Sequence, residues 1–152
     1  MNNDIMALPN NLQAEQSIIG ALLRDNDAVD RIGDLRAAHF YNPDHALIFK
    51  EIVRQIAAGQ RADVITVMLE IGQKIRDAGR YLNDMMQATP SAINIKRHTD
   101  IVIDCAVKRA LLAIGGDLQA WAVSHEDAGE IADRAAARIE AATRREVSSE
   151  PV

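Results

Sequence analysis

"NIKRHTDIVIDCAVKRALLAIGGDLQAWAV", residues 94–123, contains no proline and carries two apolar stripes. Ile103, Val107, Ala110, Ile114, Leu118 and Trp121 recur at spacings of 4, 3, 4, 4 and 3, the period of one helix face. Ile101, Cys105 and Leu112 form a second stripe roughly 160° away, at 100° per residue. A helix apolar on two sides packs against two neighbours. Gly115-Gly116 interrupts it; each glycine costs about 1 kcal/mol against alanine inside a helix. The pair marks a kink, a break or a close helix crossing, and the spacing leaves all three open.

Downstream, "SHEDAGE" (124–130) reads as a turn, with Ser124 and Asp127, or Asp127 and Glu130, as the capping partners of a final helix. Ala128, Ala132, Ala135, Ile139 and Ala142 then give a small-residue seam suited to close packing. Glu130–Arg134 and Glu140–Arg144 are expected as i,i+4 pairs. The two helices predict an antiparallel hairpin, with an arm about 45 Å long if straight. "REVSSEPV" trails off as the start of a linker.

Upstream the pattern is of short helices. Asn10 or Asn11 caps "LQAEQSIIGALLR", where Ala14, Ile18, Ala21 and Leu22 recur at helical spacing. "DND" (25–27) ends it, and "AVDRIG" adds a turn. In "FYNPDHALIF" (40–49), Asn42 is an N-cap, Pro43 fits the first helical position and Asp44 complements the helix dipole. Gly59 closes this helix. "ADVITVMLEIG" reads as a short helix capped by Asp63, with a strand as the runner-up because of Val-Ile-Thr-Val. "GRYLNDMMQA" predicts another, starting after Gly79, before "TPSA" breaks the chain. The expected fold is therefore all-α: a compact helical head over 1–93, a long antiparallel helical hairpin over 94–146, and the start of a linker over 147–152.

Composition agrees. The 152 residues are 48% hydrophobic, with four prolines, two Phe, two Tyr and one Trp, which favours packed helices over strands or disorder. A net charge of −5, with acids interleaved among Lys96-Arg97, Lys108-Arg109 and Arg144-Arg145, argues against strong direct nucleic-acid binding. The lone Cys105 makes no internal disulfide and fits a reducing compartment. The start lacks a signal-peptide layout, and no apolar run approaches the roughly 20 residues of a membrane span. A cytoplasmic protein is expected.

No phosphate-binding, dinucleotide-binding, zinc-protease, nucleophile-elbow or calcium-loop pattern occurs. No catalytic, cofactor or metal residue is assigned. His39, Asp44 and His45 form the one cluster to weigh as a small enzyme's site, but they lack a convergent constellation. The favoured reading is a helix start: Phe40 packs back as a staple, Phe49 points to the core, and His45 makes a local hydrogen bond. Trp121 and Tyr81 suit packing first, and on a helix with two apolar faces the reading as interface anchors gains ground.

In order and in plausible register, "LPNNLQAEQSIIGALL", "FYNPDHALIFKEI", "DVITV", "GRYL" and "TPSAINIKRHTDIV" resemble the N-terminal domain of the replicative DNA helicase family, the DnaB-like hexameric helicases. The likeness runs from Leu8 to about Arg145. It implies a helical head with a hairpin, and a non-catalytic module preceding a linker and an ATPase motor. It implies self-association as a dimer and a trimer of dimers, forming a collar on which the C-terminal helicase-binding domain of primase docks and which helicase loaders sense. On that reading Ile101, Ile103, Val107, Leu111, Ile114, Trp121, Ile131, Ala135 and Ile139 supply the hairpin's packing and association surfaces. Tyr81, Leu112 and Leu118 are the residues expected to face primase. The sequence ends at Val152, where the family continues into linker and motor, so a free-standing protein that mimics the domain and binds a host helicase or primase is the alternative reading.

Overall fold

The computed structural model describes residues Ala7–Arg144. Among them the order is α1 (Leu12–Arg24), two 3-10 turns (Asn26–Arg31 and Ala37–His39), α2 (Pro43–Ala57), α3 (Val64–Ile71), α4 (Ala78–Ala88), α5 (Ile95–Ala122) and α6 (Ala128–Thr143). The all-α expectation holds. "REVSSEPV" beyond Arg144, and the linker assigned to it, lie outside the described residues.

Two compact units divide the chain. One spans residues 10–103; the other takes residues from 104 onward together with those up to Pro9. The division falls within α5.

In the first unit the caps are built locally. Asn11 accepts from the amide of Ala14 at 2.9 Å to start α1. Asn42 accepts from Asp44 and His45 to start α2, with Pro43 in the first turn. Asp63 and Thr66 exchange side chain-to-backbone hydrogen bonds at 2.9 Å each, which fixes residues 64–71 as a helix rather than the strand their β-branched composition also allowed. Ile18, Ile19, Leu22, Ile48, Ile52, Val67 and Leu82 form a fully buried core, the kind of apolar burial that drives folding. Phe40 packs on Phe49 with ring centroids 4.8 Å apart, as the staple reading requires. On α3, Val67 and Ile71 are buried, whereas Val64 and Met68 are half-buried.

The α1–α4 crossing is unusually close. A Cβ on Gly20 would lie 2.3 Å from the Met85 carbonyl oxygen and 2.5 Å from Thr89 Oγ1. Arg24 locks the same crossing from the side: its Nε donates to the Thr89 carbonyl at 2.7 Å and its Nη2 to that of Met86 at 3.0 Å, satisfying the end of α4. α4 itself begins at Ala78, two residues before its expected start, with Asp77 in the left-handed region at φ 52°.

In the second unit, α6 returns along the later turns of α5. Ile114, Ile131 and Ala135 are buried. The alanine seam expected from 128 to 142 is buried only at Ala135, because the residues that close this pair are larger: Trp121 lies beneath the guanidinium groups of Arg134 (4.6 Å to the ring centroid) and Arg138 (5.3 Å). Arg138 also pairs with Asp117 at 2.6 Å. Arg134 does not pair with Glu130 as the i,i+4 spacing suggested; drawn over the indole, it reaches Glu126 across the turn instead. The Glu140–Arg144 pair is present at 3.1 Å. Asp127 caps α6 through Glu130, and Ser124 instead bonds the Trp121 carbonyl at 2.6 Å. Arg109 donates to the Pro9 carbonyl at 2.8 Å, tying Pro9 to this unit.

α5 continues as one helix through Gly115-Gly116. A Cβ on either glycine would meet nothing within 4 Å. The pair therefore marks neither a break nor a crossing within the described chain.

Candidate functional site

Glu15 is the most informative polar residue of the first unit. It is 1% exposed on α1, and burying a carboxylate is costly unless hydrogen bonds replace its water. Its oxygens accept from the backbone amides of Tyr41 (2.8 Å) and Asn42 (3.2 Å) and from His45 Nδ1 (2.9 Å). The carboxylate thus organises the start of α2 from the opposite helix. His45, fully buried, directs Nε2 to the Tyr81 hydroxyl. Gln16 Nε2 donates to that hydroxyl at 3.2 Å, and the His45 and Tyr81 rings stack at 5.8 Å between centroids.

Proton bookkeeping gives this chain of bonds a direction. With Nδ1–H donating to the carboxylate, Nε2 accepts from the tyrosine O–H, and the tyrosine oxygen accepts from Gln16. Every group is satisfied, and no nucleophile stands at the end. His39 is engaged elsewhere, its Nδ1 accepting from the Arg36 amide at 2.9 Å. The structure therefore turns the His39–Asp44–His45 cluster into helix-start chemistry. Among the described residues no group of three or more His, Cys, Asp and Glu is placed to hold a metal.

Tyr81 also opens onto a groove of about 570 Å³ between α1, α4 and the first turns of α5. Asn11, Gln13, Ser17, Asp84 and His98 line it alongside apolar Met85 and Ile101. Of the residues expected to face primase, Tyr81 belongs to this groove, while Leu112 and Leu118 lie exposed on α5 in the other unit. Of the association residues, Ile114, Ile131 and Ala135 are buried and Trp121 half-buried. Leu111 and Ile139 are exposed. Ile103 is buried and Ile101 half-buried in the first unit, and Val107 is half-buried in the second.

Sequence reasoning missed Glu15, although a signal was there. It stands three, four and seven positions before Ile18, Ile19 and Leu22, on the core stripe, where an acid requires a buried partner. Asn26 was missed without any comparable signal. Its amide donates to the carbonyls of Leu22 and Ala62, and its oxygen accepts from the Ala62 amide at 2.8 Å.

The fold defines an all-helical module in which a few buried polar groups join one helix to another. The family model "DnaB-like helicase N terminal domain" matches residues 7–104, and the chain belongs to this family. It is similar to the replicative DNA helicases DnaB of Treponema pallidum (33% identity over 81% of this chain and 29% of the relative) and Mycobacterium leprae (32%, over 86% and 23%). It thus spans about a quarter of the length of these relatives. The crystal structure of the N-terminal domain of DnaB helicase from Mycobacterium tuberculosis superposes with a TM-score of 0.78 at 29% identity, covering 89% of this chain and 99% of that one. A DnaB-like replicative helicase, whose structure was described together with its interactions with primase, shares the fold at a TM-score of 0.77 and 21% identity, over 92% of this chain and 33% of its own. What the chain carries is the family's N-terminal domain. Among the described residues no helix is long and apolar enough to cross a membrane.

Proposed function

We propose that this chain is an assembly and docking scaffold of a replicative helicase. Its hairpin pairs with that of a second copy, pairs of chains build a trimer of dimers, and the resulting collar receives the C-terminal helicase-binding domain of primase. Helicase loaders act on the same collar. The observation that carries the reading is an asymmetry within α5 and α6. Ile114, Ile131 and Ala135 are already buried in one chain, yet Leu111, Leu112, Leu118 and Ile139 stay exposed, and a continuous apolar face on a soluble helix marks a contact surface.

Of the three residues first assigned to primase, Tyr81 keeps that role at the head's groove. Leu112 and Leu118 share the exposed face of α5 with Leu111 and are assigned to self-association instead. The neighbour described with its primase interactions supports a primase partner.

Light scattering at tens of micromolar is expected to give a dimer or a larger even-numbered assembly. Calorimetric titration with the helicase-binding domain of the cognate primase is expected to show saturable heat that Tyr81→Ala weakens. A strict monomer that gives no heat with primase refutes the proposal.

A further inference from the structure

The Tyr81 hydroxyl joins a buried titratable pair to an open groove. On its inner side it donates to Nε2 of the buried His45, whose Nδ1–H goes to the buried Glu15. Tyr81 itself is half-buried and borders the groove of about 570 Å³.

His45 holds one of the two protons its ring can carry. As a neutral ring it offers Nε2 as an acceptor, and the tyrosine proton is turned inward. With a second proton it has two N–H groups and no acceptor. Nδ1 still donates to Glu15, and the buried pair then carries no net charge. Nε2, however, now donates to the tyrosine oxygen, and two hydrogens cannot occupy one bond. The tyrosine O–H must turn outward. Gln16 Nε2 donates to the same oxygen at 3.2 Å and has no lone pair to take the displaced hydrogen. The charged and titratable groups that surround this hydroxyl at the surface are Asp44 at the start of α2, Arg76 and Asp77 before α4, Arg80 and Asp84 on α4, and His98 on α5.

We infer that His45 is a proton switch for the groove: a second proton on its ring reverses the Tyr81 hydroxyl, which then presents a donor to a main-chain carbonyl of the docked partner. The groove lining holds the acid Asp84 and neither Lys nor Arg, so a neutral acceptor suits it better than a carboxylate. Gln13 and Ser17 offer further hydrogen bonds to a peptide backbone, and Met85 and Ile101 offer apolar contact. By linkage, an acceptor that binds the reversed hydroxyl draws a proton onto His45, and falling pH strengthens binding. The inference rests on the docking reading and adds its regulation.

Calorimetric titration of the 152-residue chain with the helicase-binding domain of the cognate primase, in two buffers of different ionisation enthalpy, counts the protons taken up. Uptake of a fraction of one proton is expected, with affinity rising several-fold from about pH 8 to about pH 6, where an imidazole ordinarily exchanges its proton. Tyr81→Phe is expected to lose both the uptake and the slope. His98→Gln removes the other imidazole at the groove and is expected to keep the uptake, whatever it does to affinity. Nitrogen NMR of the free chain reads the switch without a partner: one proton on the His45 ring at high pH, two at low pH, with the Tyr81 ring signals moving at the same midpoint. Binding without proton uptake, or uptake that survives Tyr81→Phe, overturns the switch and leaves the scaffold reading intact. A His45 that keeps one proton throughout this range in the folded chain overturns it as well. If primase gives no heat while His45 and Tyr81 titrate together, the docking reading falls and the proton switch is upheld.

Discussion

Replacing Gly20 with alanine tests the close helix crossing directly. Two effects of opposite sign compete. Alanine in the middle of α1 gains about 1 kcal/mol of intrinsic helix preference over glycine. Against this, the new Cβ would fall 2.3 Å from the Met85 carbonyl oxygen, 2.5 Å from Thr89 Oγ1 and 2.9 Å from Thr89 Cβ. The nearest of these is backbone, so no side-chain rotation relieves the overlap and α1 and α4 must separate. Overpacking a tight core costs typically 1–3 kcal/mol, and a backbone clash belongs at the upper end. Separation also stretches the bonds from Arg24 to Thr89 and Met86, now 2.7 and 3.0 Å. The net expectation is a loss of about 2 kcal/mol, or roughly 10 °C in melting temperature for a unit of this size. Thermal unfolding followed by circular dichroism measures it, with Gly115→Ala at dilute concentration as the matched control expected to move the other way. A Gly20→Ala variant as stable as wild type, or more so, refutes the crossing.

Three further outcomes follow from the buried polar groups. Glu15→Gln places an amide against the Tyr41, Asn42 and His45 donors and is expected to cost about 2–3 kcal/mol, while Tyr81→Phe costs about 1–2 kcal/mol. Combined in a double-mutant cycle by urea unfolding, the two should couple by more than about 0.5 kcal/mol; strict additivity would show that they are separate sites. Asn26→Ala strands both polar groups of the Ala62 peptide and is expected to cost about 2 kcal/mol, with Asn26→Asp worse because it brings a carboxylate to two carbonyls; equal stability of Asn26→Asp and wild type would count against the bridge. Glu51 is held below the usual glutamate range by its hydrogen bond to Arg54, against the opposing pull of burial. A lowered folded-state pKa means that its stabilisation is complete above the ordinary glutamate value and is lost as pH falls through the folded one. Melting temperature against pH should therefore fall less steeply on the acid side for Glu51→Gln than for wild type, and parallel curves would dismiss the pair as a stability determinant.

How much of this was legible in the sequence depends on the distance between the partners. The caps at Asn42, Asp63 and Asp127 could be read because donor and acceptor lie within three residues of each other. Glu15 and His45 are 30 residues apart, Asn26 and Ala62 36, and Arg24 and Thr89 65. Only the fold creates these pairs. Periodicity located every α-helix, but it overstated the α6 seam, because spacing alone does not reveal that Trp121, Arg134 and Arg138 fill the space an alanine line would have closed. The Arg134 pairing failed for a related reason. An i,i+4 rule assumes a side chain with no better offer, and here the indole and Glu126 supply one.

The glycines show what the structure adds to such patterns. Gly20 and Gly115 both lie within helices, and in sequence each reads as the same local weakness. Around Gly20 the chain fills the space where a side chain would stand; around Gly115 that space is empty. The first glycine is explained by its own fold and belongs to stability. The second has no such account within one chain, and it lies on a face where three leucines remain exposed. A polar cluster such as Glu15–His45–Tyr81 is fully satisfied within one chain. The cost at Gly115-Gly116 is met by no contact within the chain.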